Sequence, residues 1–218
     1  GVVSKTLRSY LDEDYPYINV IRVNRGGSTL ALLSKYPIKE AKEIPLPSWV
    51  NGAVAYKVDI RGKETLVINV HLESFRLRRV DGEDYLRLAK DGDAIRLKDA
   101  LRAKLSPTFR SHNIQANIIH DLIQSYGSGR VIVCGDFNDT PLSYARYKIG
   151  EGLEDAFVSK GNGLGITFHT RPFFVRIDHI LFGPAFRALR CEVDKTASES
   201  DHYPIEAVLT TSGVTDPN

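Results

Sequence analysis

The chain lacks methionine and has only two cysteines, Cys134 and Cys191, among 218 residues. Two cysteines cannot build a disulfide framework, and each stands in an apolar run where a buried free thiol is expected. No group of Cys and His has the spacing of a zinc site. No apolar run reaches transmembrane length, and there is no internal repeat or low-complexity tract. Net charge is also scarce, at +2. That balance neither marks nor excludes nucleic acid, because a dedicated binder carries a stronger basic excess. Residue 1 is Gly. Since translation starts at Met, a processed or shortened product is expected, and localisation, signal peptides and anchors cannot be read from these residues.

What is present is an ordinary apolar content of 42%, enough for a real core. One domain is expected over residues 1–211, followed by a short tail at 212–218. Charge is unevenly spread: Arg76 to Arg110 holds ten Lys or Arg against six Asp or Glu. Solvated helix faces explain this; a basic flank beside a phosphate site is the sharper alternative.

Hydrophobic periodicity predicts the end of a helix at Val2–Leu11 and strands at Tyr17–Val23 and Thr29–Ser34, the latter stopped by Tyr36-Pro37. Val54, Tyr56, Val58 and Ile60 alternate, as do Leu66, Ile68 and Val70, and Arg61-Gly62-Lys63 between them predicts a hairpin. Phe75–Phe109 reads as charged and largely helical, with Ile95, Leu101 and Leu105 as a partial stripe. Ser111 is the expected N-cap of a stronger helix with Ile114, Ile118, Leu122 and Tyr126 on one face, stopped at Gly127 and Gly129. Val131-Ile132-Val133-Cys134 reads as a strand buried on both faces. Thr140-Pro141 is expected to open a helix through Tyr147. Further strands are expected at Gly165–His169, Arg176–Phe182, Leu189–Asp194 and Ile205–Thr210. About nine strands with few helices between them point to an α+β fold, two sheets face to face with helices outside.

Four strand ends carry acids, amides or imidazoles, which are rare in such places unless paired or working. The first gives His71 in Asn69-Val70-His71-Leu72-Glu73-Ser74. The second gives Asp136 and Asn138 in Gly135-Asp136-Phe137-Asn138-Asp139; an extended backbone would aim both to one side. The third gives Asp178 and His179 in Arg176-Ile177-Asp178-His179-Ile180-Leu181. The fourth gives Asp201 and His202 before Tyr203-Pro204. This set suits hydrolysis of a phosphate ester. A divalent ion held by oxygen ligands offsets the anionic charge, and a carboxylate orients and deprotonates water. Amide and imidazole donors then hold the phosphoryl oxygens, and a buried Asp fixes a His tautomer.

In that order and spelling, these motifs resemble the endonuclease/exonuclease/phosphatase superfamily, with its deoxyribonuclease-I-like fold. Thr29–Pro37 also looks like that family's strand before its first turn. The resemblance implies a four-layer α/β/β/α sandwich of two mostly antiparallel sheets. It implies a hydrolase dependent on Mg²⁺ or Mn²⁺ and acting on nucleic acid, a phospholipid head group or an inositol phosphate. It implies that His71 contacts the scissile phosphate, Asp136 orients the attacking water, Asn138 holds phosphate and water, and Asp178 pairs with His202. His202 then serves as base or phosphate stabiliser, and Asp201 as a metal ligand. The choice of base between Asp136 and His202 stays open. A non-catalytic phosphate-binding module is the alternative, though such a module has no use for the whole set.

The bland reading is preferred elsewhere. His179 follows Asp178 in a strand and faces the other way, so it is expected to be structural. Asp139 reads as a helix-start acid beside Thr140, and Glu73 as a weak candidate ligand. Ser143 and Tyr144 read as support beneath the site. His112, His120 and His169 read as surface or loop residues. In the superfamily the principal Mg²⁺ ligand is the Glu of a Gln-Glu dipeptide on an early strand, and this chain has no Gln-Glu. The expectation is therefore a domain without the family's first strands, with weak metal binding, low activity and self-association through an open sheet edge. The spelling is similar to bacterial members whose catalytic domain follows membrane segments, which implies a tethered parent.

Overall fold

The computed structural model describes residues 14–24, 27–75, 87, 89–91, 94–127, 129–171, 173–197 and 199–211. The helix expected at Val2–Leu11 and the tail at 212–218 lie outside these. The described chain runs β1 (Tyr17–Arg22), β2 (Thr29–Ser34), β3 (Ile38–Ile44), β4 (Gly52–Ile60), β5 (Lys63–His71), α1 (Ala94–Tyr126), β6 (Val131–Asp136), α2 (Tyr144–Ile149), β7 (Glu154–Asp155), α3 (Ala156–Lys160), β8 (Asp178–Phe182), β9 (Phe186–Val193) and β10 (Ile205–Thr211).

A six-stranded mixed sheet in the order β3-β4-β5-β6-β8-β7 forms the centre, and β1-β2 and β9-β10 are separate two-stranded ribbons. Only β5 and β6 pair in parallel in the large sheet, and the long excursion through α1 makes that crossover possible. One face carries Leu66, Ile68, Val70, Val131, Val133 and Leu181, which pack with Ile119 and Ile123 of α1 and with Ile149 of α2. The opposite face carries Val54, Tyr56 and Val58 against Val23 and Leu30 of the first ribbon segment. Further along that face, Phe182 and Ile132 pack with Phe186, Ala188 and Cys191 of β9 and with Phe157 of α3. The fold is thus α+β, with α1 and α2 on one face and the ribbons and α3 on the other. Ile132 and Cys134 are only partly buried, so β6 is fully enclosed on the helix side alone.

The β4–β5 hairpin turns as the sequence indicates. Arg61 and Gly62 both have positive φ, 54° and 78°, the backbone of a two-residue turn whose twist matches the strands. Strand β3 was not legible as a strand. Its sequence Ile-Lys-Glu-Ala-Lys-Glu-Ile is mostly charged because it is a sheet edge, and edge lysines discourage pairing with other chains. Gly165–His169 is no strand; only Phe168 forms bridges there, to Val175 and His202.

Two helix expectations are corrected. α1 runs unbroken through Pro107, and Ser111 is inside it, donating through Oγ to the Pro107 carbonyl at 3.3 Å. Its buried stripe is His112, Gln115, Ala116, Ile119, His120 and Ile123, whereas Ile114 and Ile95 are exposed. The true stripe hides from a hydrophobicity reading because three of its members are polar. Likewise α2 begins after Ser143, whose Oγ accepts from the Arg146 N–H at 3.1 Å. Thr140 instead closes a turn, its carbonyl accepting from the Ser143 N–H.

Candidate active site

The site is built by strand register. His71 pairs with Asp136 across β5–β6, and Asp136 pairs with Asp178 across β6–β8. The three therefore stand in a row across neighbouring strands. Side chains alternate along a strand, so all three share the face that carries Ile132 and Phe182, opposite α1 and α2. Gly135 permits the row: a Cβ there would lie 2.1 Å from the Val70 carbonyl oxygen of β5.

His202 arrives from the segment between β9 and β10. It is fixed by a bridge to Phe168, with the rings edge to face at 5.1 Å, and by its own Nδ1, 2.8 Å from Asp178 Oδ2. Asp178 is set in turn by Thr167, whose Oγ1 accepts from the Ile177 and Asp178 N–H groups. One ligand atom from each of Asp136, Asp178 and His202 lies within 4.8 Å of the others. His71 Nε2 is 3.6 Å from Asp136 Oδ2. Asp201 is exposed at the rim of the same cleft and is not in that three-residue group.

Asn138 reaches the site by a different route from the one its spacing suggests. Strand β6 stops at Asp136, and Asn138 has φ of 47°, a left-handed conformation that Asn tolerates better than most residues. The turn brings its N–H to Asp136 Oδ1 at 2.7 Å. Its amide donates to Asp136 Oδ2 and to the Leu72 carbonyl, both at 3.0 Å. Asn138 thereby orients the Asp136 carboxylate.

The electrostatics separate the groups. Burial pushes the Asp136 carboxyl up to about 7, and the neighbouring Asp178 charge adds to the rise, against the Asn138 N–H, His202 and His112. Burial by itself would lower His202, but its bond to Asp178 and the charges of Asp178, Asp136 and Asp201 leave the imidazole above its ordinary value. Burial, reinforced by the charge of His202, lowers His71 despite Asp178 and Glu73.

Behind the site lies a polar network that the sequence reading did not find. His112 is fully buried, not a surface residue. Its Nδ1 is 2.9 Å from Asp139 Oδ2, and its Nε2 donates to the Glu73 carbonyl at 2.6 Å. Asp139 is buried too and also accepts from the Thr140 N–H. His120 is likewise buried, on the same helix stripe. His179 faces this network, as its place in the strand predicts, with Nε2 3.1 Å from the Asp139 carbonyl oxygen and Nδ1 beside Arg176. Asp155 anchors the far end. Burial would raise its carboxyl, but bonds from His179, Arg146 and the Val158 N–H, with the Arg176 charge, hold it well below the usual carboxylate range. The available signal was the spacing His112, Gln115, Ile119, Ile123, a helical stripe that includes polar residues. Glu73 is not in the three-residue group, and its carboxylate accepts from Ser48 Oγ at 2.5 Å.

The catalytic candidates form part of the floor of a cleft of about 940 Å³, together with Phe75, Leu105, Phe109, Leu142 and Phe168. A model of the endonuclease/exonuclease/phosphatase family matches residues 3–202. No curated protein matches the chain. Among solved structures, a humanized D. rerio TDP2 is similar over 94% of this chain and 82% of its own, at 16% identity and a TM-score of 0.65. A mannosyl-6-phosphatase from Bacteroides thetaiotaomicron is similar over 94% and 81%, at 18% and 0.61. Sphingomyelinase C from Streptomyces griseocarneus is similar over 93% and 80%, at 15% and 0.61. At such identities the likeness establishes a shared fold.

Proposed function

The chain belongs to the endonuclease/exonuclease/phosphatase family, hydrolases of phosphoester bonds, and on that premise we propose that it is a divalent-metal-dependent phosphoesterase using activated water. The observation that carries this reading is the row His71, Asp136, Asp178 with His202 bonded to its end. The residues fit a cation: two carboxylates lie side by side, and burial, with the Asp178 charge beside it, makes ionising Asp136 costly without a counter-ion. Mg²⁺ or Mn²⁺ suits such oxygen ligands. Asp178 would hold the ion, with Asp201 at the rim, and Asp136 would be left to the attacking water. When bound, the ion offsets phosphate charge and polarises the phosphoryl oxygen. The Glu of the family's Gln-Glu dipeptide has no counterpart in these residues, so we infer weak ion affinity for residues 1–218 alone.

In this reading Asp136, aimed by Asn138, takes the proton of the attacking water. Asp178 fixes the tautomer of His202 and favours its charged form, leaving Nε2 to donate to a phosphoryl oxygen. His71 contacts the same phosphate. The neighbours' names span TDP2, a mannosyl-6-phosphatase and a sphingomyelinase, so the fold does not select the substrate. The test is hydrolysis of a chromogenic phosphodiester and a phosphomonoester with Mg²⁺, Mn²⁺ or EDTA. Metal-dependent turnover that falls about 10²–10⁴-fold in Asp136→Asn and His202→Ala is expected. Turnover equal in EDTA would refute the metal requirement.

A further inference from the structure

The proposed chemistry uses only one wall of the cleft. The other is apolar and comes from separate segments. Phe75 follows β5, Leu105 and Phe109 belong to α1, Leu142 precedes α2, and Phe173 follows the bridge at Phe168. Leu142 is 97% exposed and Phe109 43%. Neither is needed to complete the core, and both face the space beside the catalytic floor.

Charge is distributed the same way. No Lys or Arg is among the described residues lining this cleft, whereas Asp136, Asp139, Asp178 and Asp201 all line it. Lys104 lines a neighbouring hollow that shares Ser74 and Phe75 with the cleft. One divalent ion can offset one phosphate. Among the described lining residues, a second or third phosphate would meet carboxylates and phenyl rings without a cation, an unfavourable desolvation. An apolar group would instead cover side chains that otherwise face water. The aromatic rings are not set as a slot for a flat ring. Phe75 and Phe109 meet edge to face at 69°, 4.9 Å apart, a corner that a flexible chain follows more readily than a planar one.

We infer that this wall is a subsite for an alkyl chain carried by the phosphate, so the preferred substrates are amphiphilic esters with a single phosphate. The inference rests on the phosphoesterase reading, and its test is arranged so that the two fail separately. p-Nitrophenyl phosphodiesters of methanol, hexanol, benzyl alcohol and an inositol phosphate share one leaving group and differ in the other substituent. Each buried methylene is worth about a threefold gain in affinity, so the hexyl ester should exceed the methyl ester by at least about tenfold in kcat/KM. Leu142→Ser should erase most of that gain and leave the methyl ester unchanged; being exposed, Leu142 can be replaced without unfolding the protein. Phe109→Ser should act likewise.

Equal rates for methyl and hexyl esters, faster cleavage of the benzyl or inositol phosphate ester, or an equal loss on every ester in Leu142→Ser would overturn the inference. Calorimetric binding of hexylphosphonate against methylphosphonate needs no turnover. If no ester is cleaved, the enzymatic reading fails, and the phosphonate pair still decides the subsite: tighter hexylphosphonate binding that Leu142→Ser abolishes supports it, and equal binding overturns it.

Discussion

Replacing Gly135 by Ala should damage this protein more than any other single methyl group added to the central sheet. Gly135 pairs with Val70 in the parallel β5–β6 ladder, one residue before Asp136. Its φ is +131°, and a Cβ would lie 2.1 Å from the Val70 carbonyl oxygen, 2.9 Å from the Val70 nitrogen and 3.0 Å from Asn69 Oδ1. The obstacles are mainly backbone, held by neighbouring strands on both sides, so they cannot swing away like a side-chain tip. A side-chain residue in such a conformation costs about 1–3 kcal/mol. Forcing the two strands apart adds about 1–3 kcal/mol. A loss of about 3–5 kcal/mol is expected from a total of roughly 5–15 kcal/mol, equivalent to a melting point lower by roughly 10 °C. Urea unfolding monitored by circular dichroism measures it, with the slope against denaturant unchanged. Activity should fall further than stability, because shifting β6 displaces Asp136 from His71 and Asp178. A stability loss below about 1 kcal/mol would show that the strands are free to part and refute the close-approach argument.

Asp136→Asn should abolish activity yet stabilise the metal-free protein. A folded carboxyl raised to about 7 makes stability fall as pH rises from about 4 to about 7. Removing the charge should therefore recover about 2–4 kcal/mol at neutral pH in EDTA, read by urea titration. Asp155→Ala should cost about 3–5 kcal/mol by leaving Arg176 and Arg146 without their buried partner. Because the Asp155 carboxyl is held low, its contribution is complete above about pH 4 and is lost as pH falls further, which an acid titration of unfolding would detect. Asp178→Asn should return the His202 imidazole toward its ordinary value, observable in an NMR pH titration. The stability from that pair is present below about pH 6.5 and is lost as pH rises through the folded value.

The motif strands were legible because their chemistry and their periodicity agree. Val54, Tyr56 and Val58 alternate as written, and the Arg61-Gly62 turn declares its own geometry. His71, Asp136 and Asp178 were legible as strand-end residues, but their side-by-side placement depends on register between strands far apart in sequence. No local pattern encodes that register. Asn138 shows the limit of a period-two argument: it enters the site through a left-handed turn, because the strand has already ended. His112 and Asp139 were missed for the opposite reason. In its own sequence neighbourhood each looks ordinary, a helix histidine and a cap-like acid, and only tertiary packing makes them a buried pair. β3 was missed because an edge strand is selected to look unlike one.

The decisive measurement is the rate of phosphodiester hydrolysis at saturating Mg²⁺ or Mn²⁺ for the wild type, Asp136→Asn and His202→Ala in parallel. The catalytic assignment of Asp136 and His202 predicts metal-dependent turnover in the wild type and its near-complete loss in both variants. Turnover that persists unchanged in both variants would contradict it.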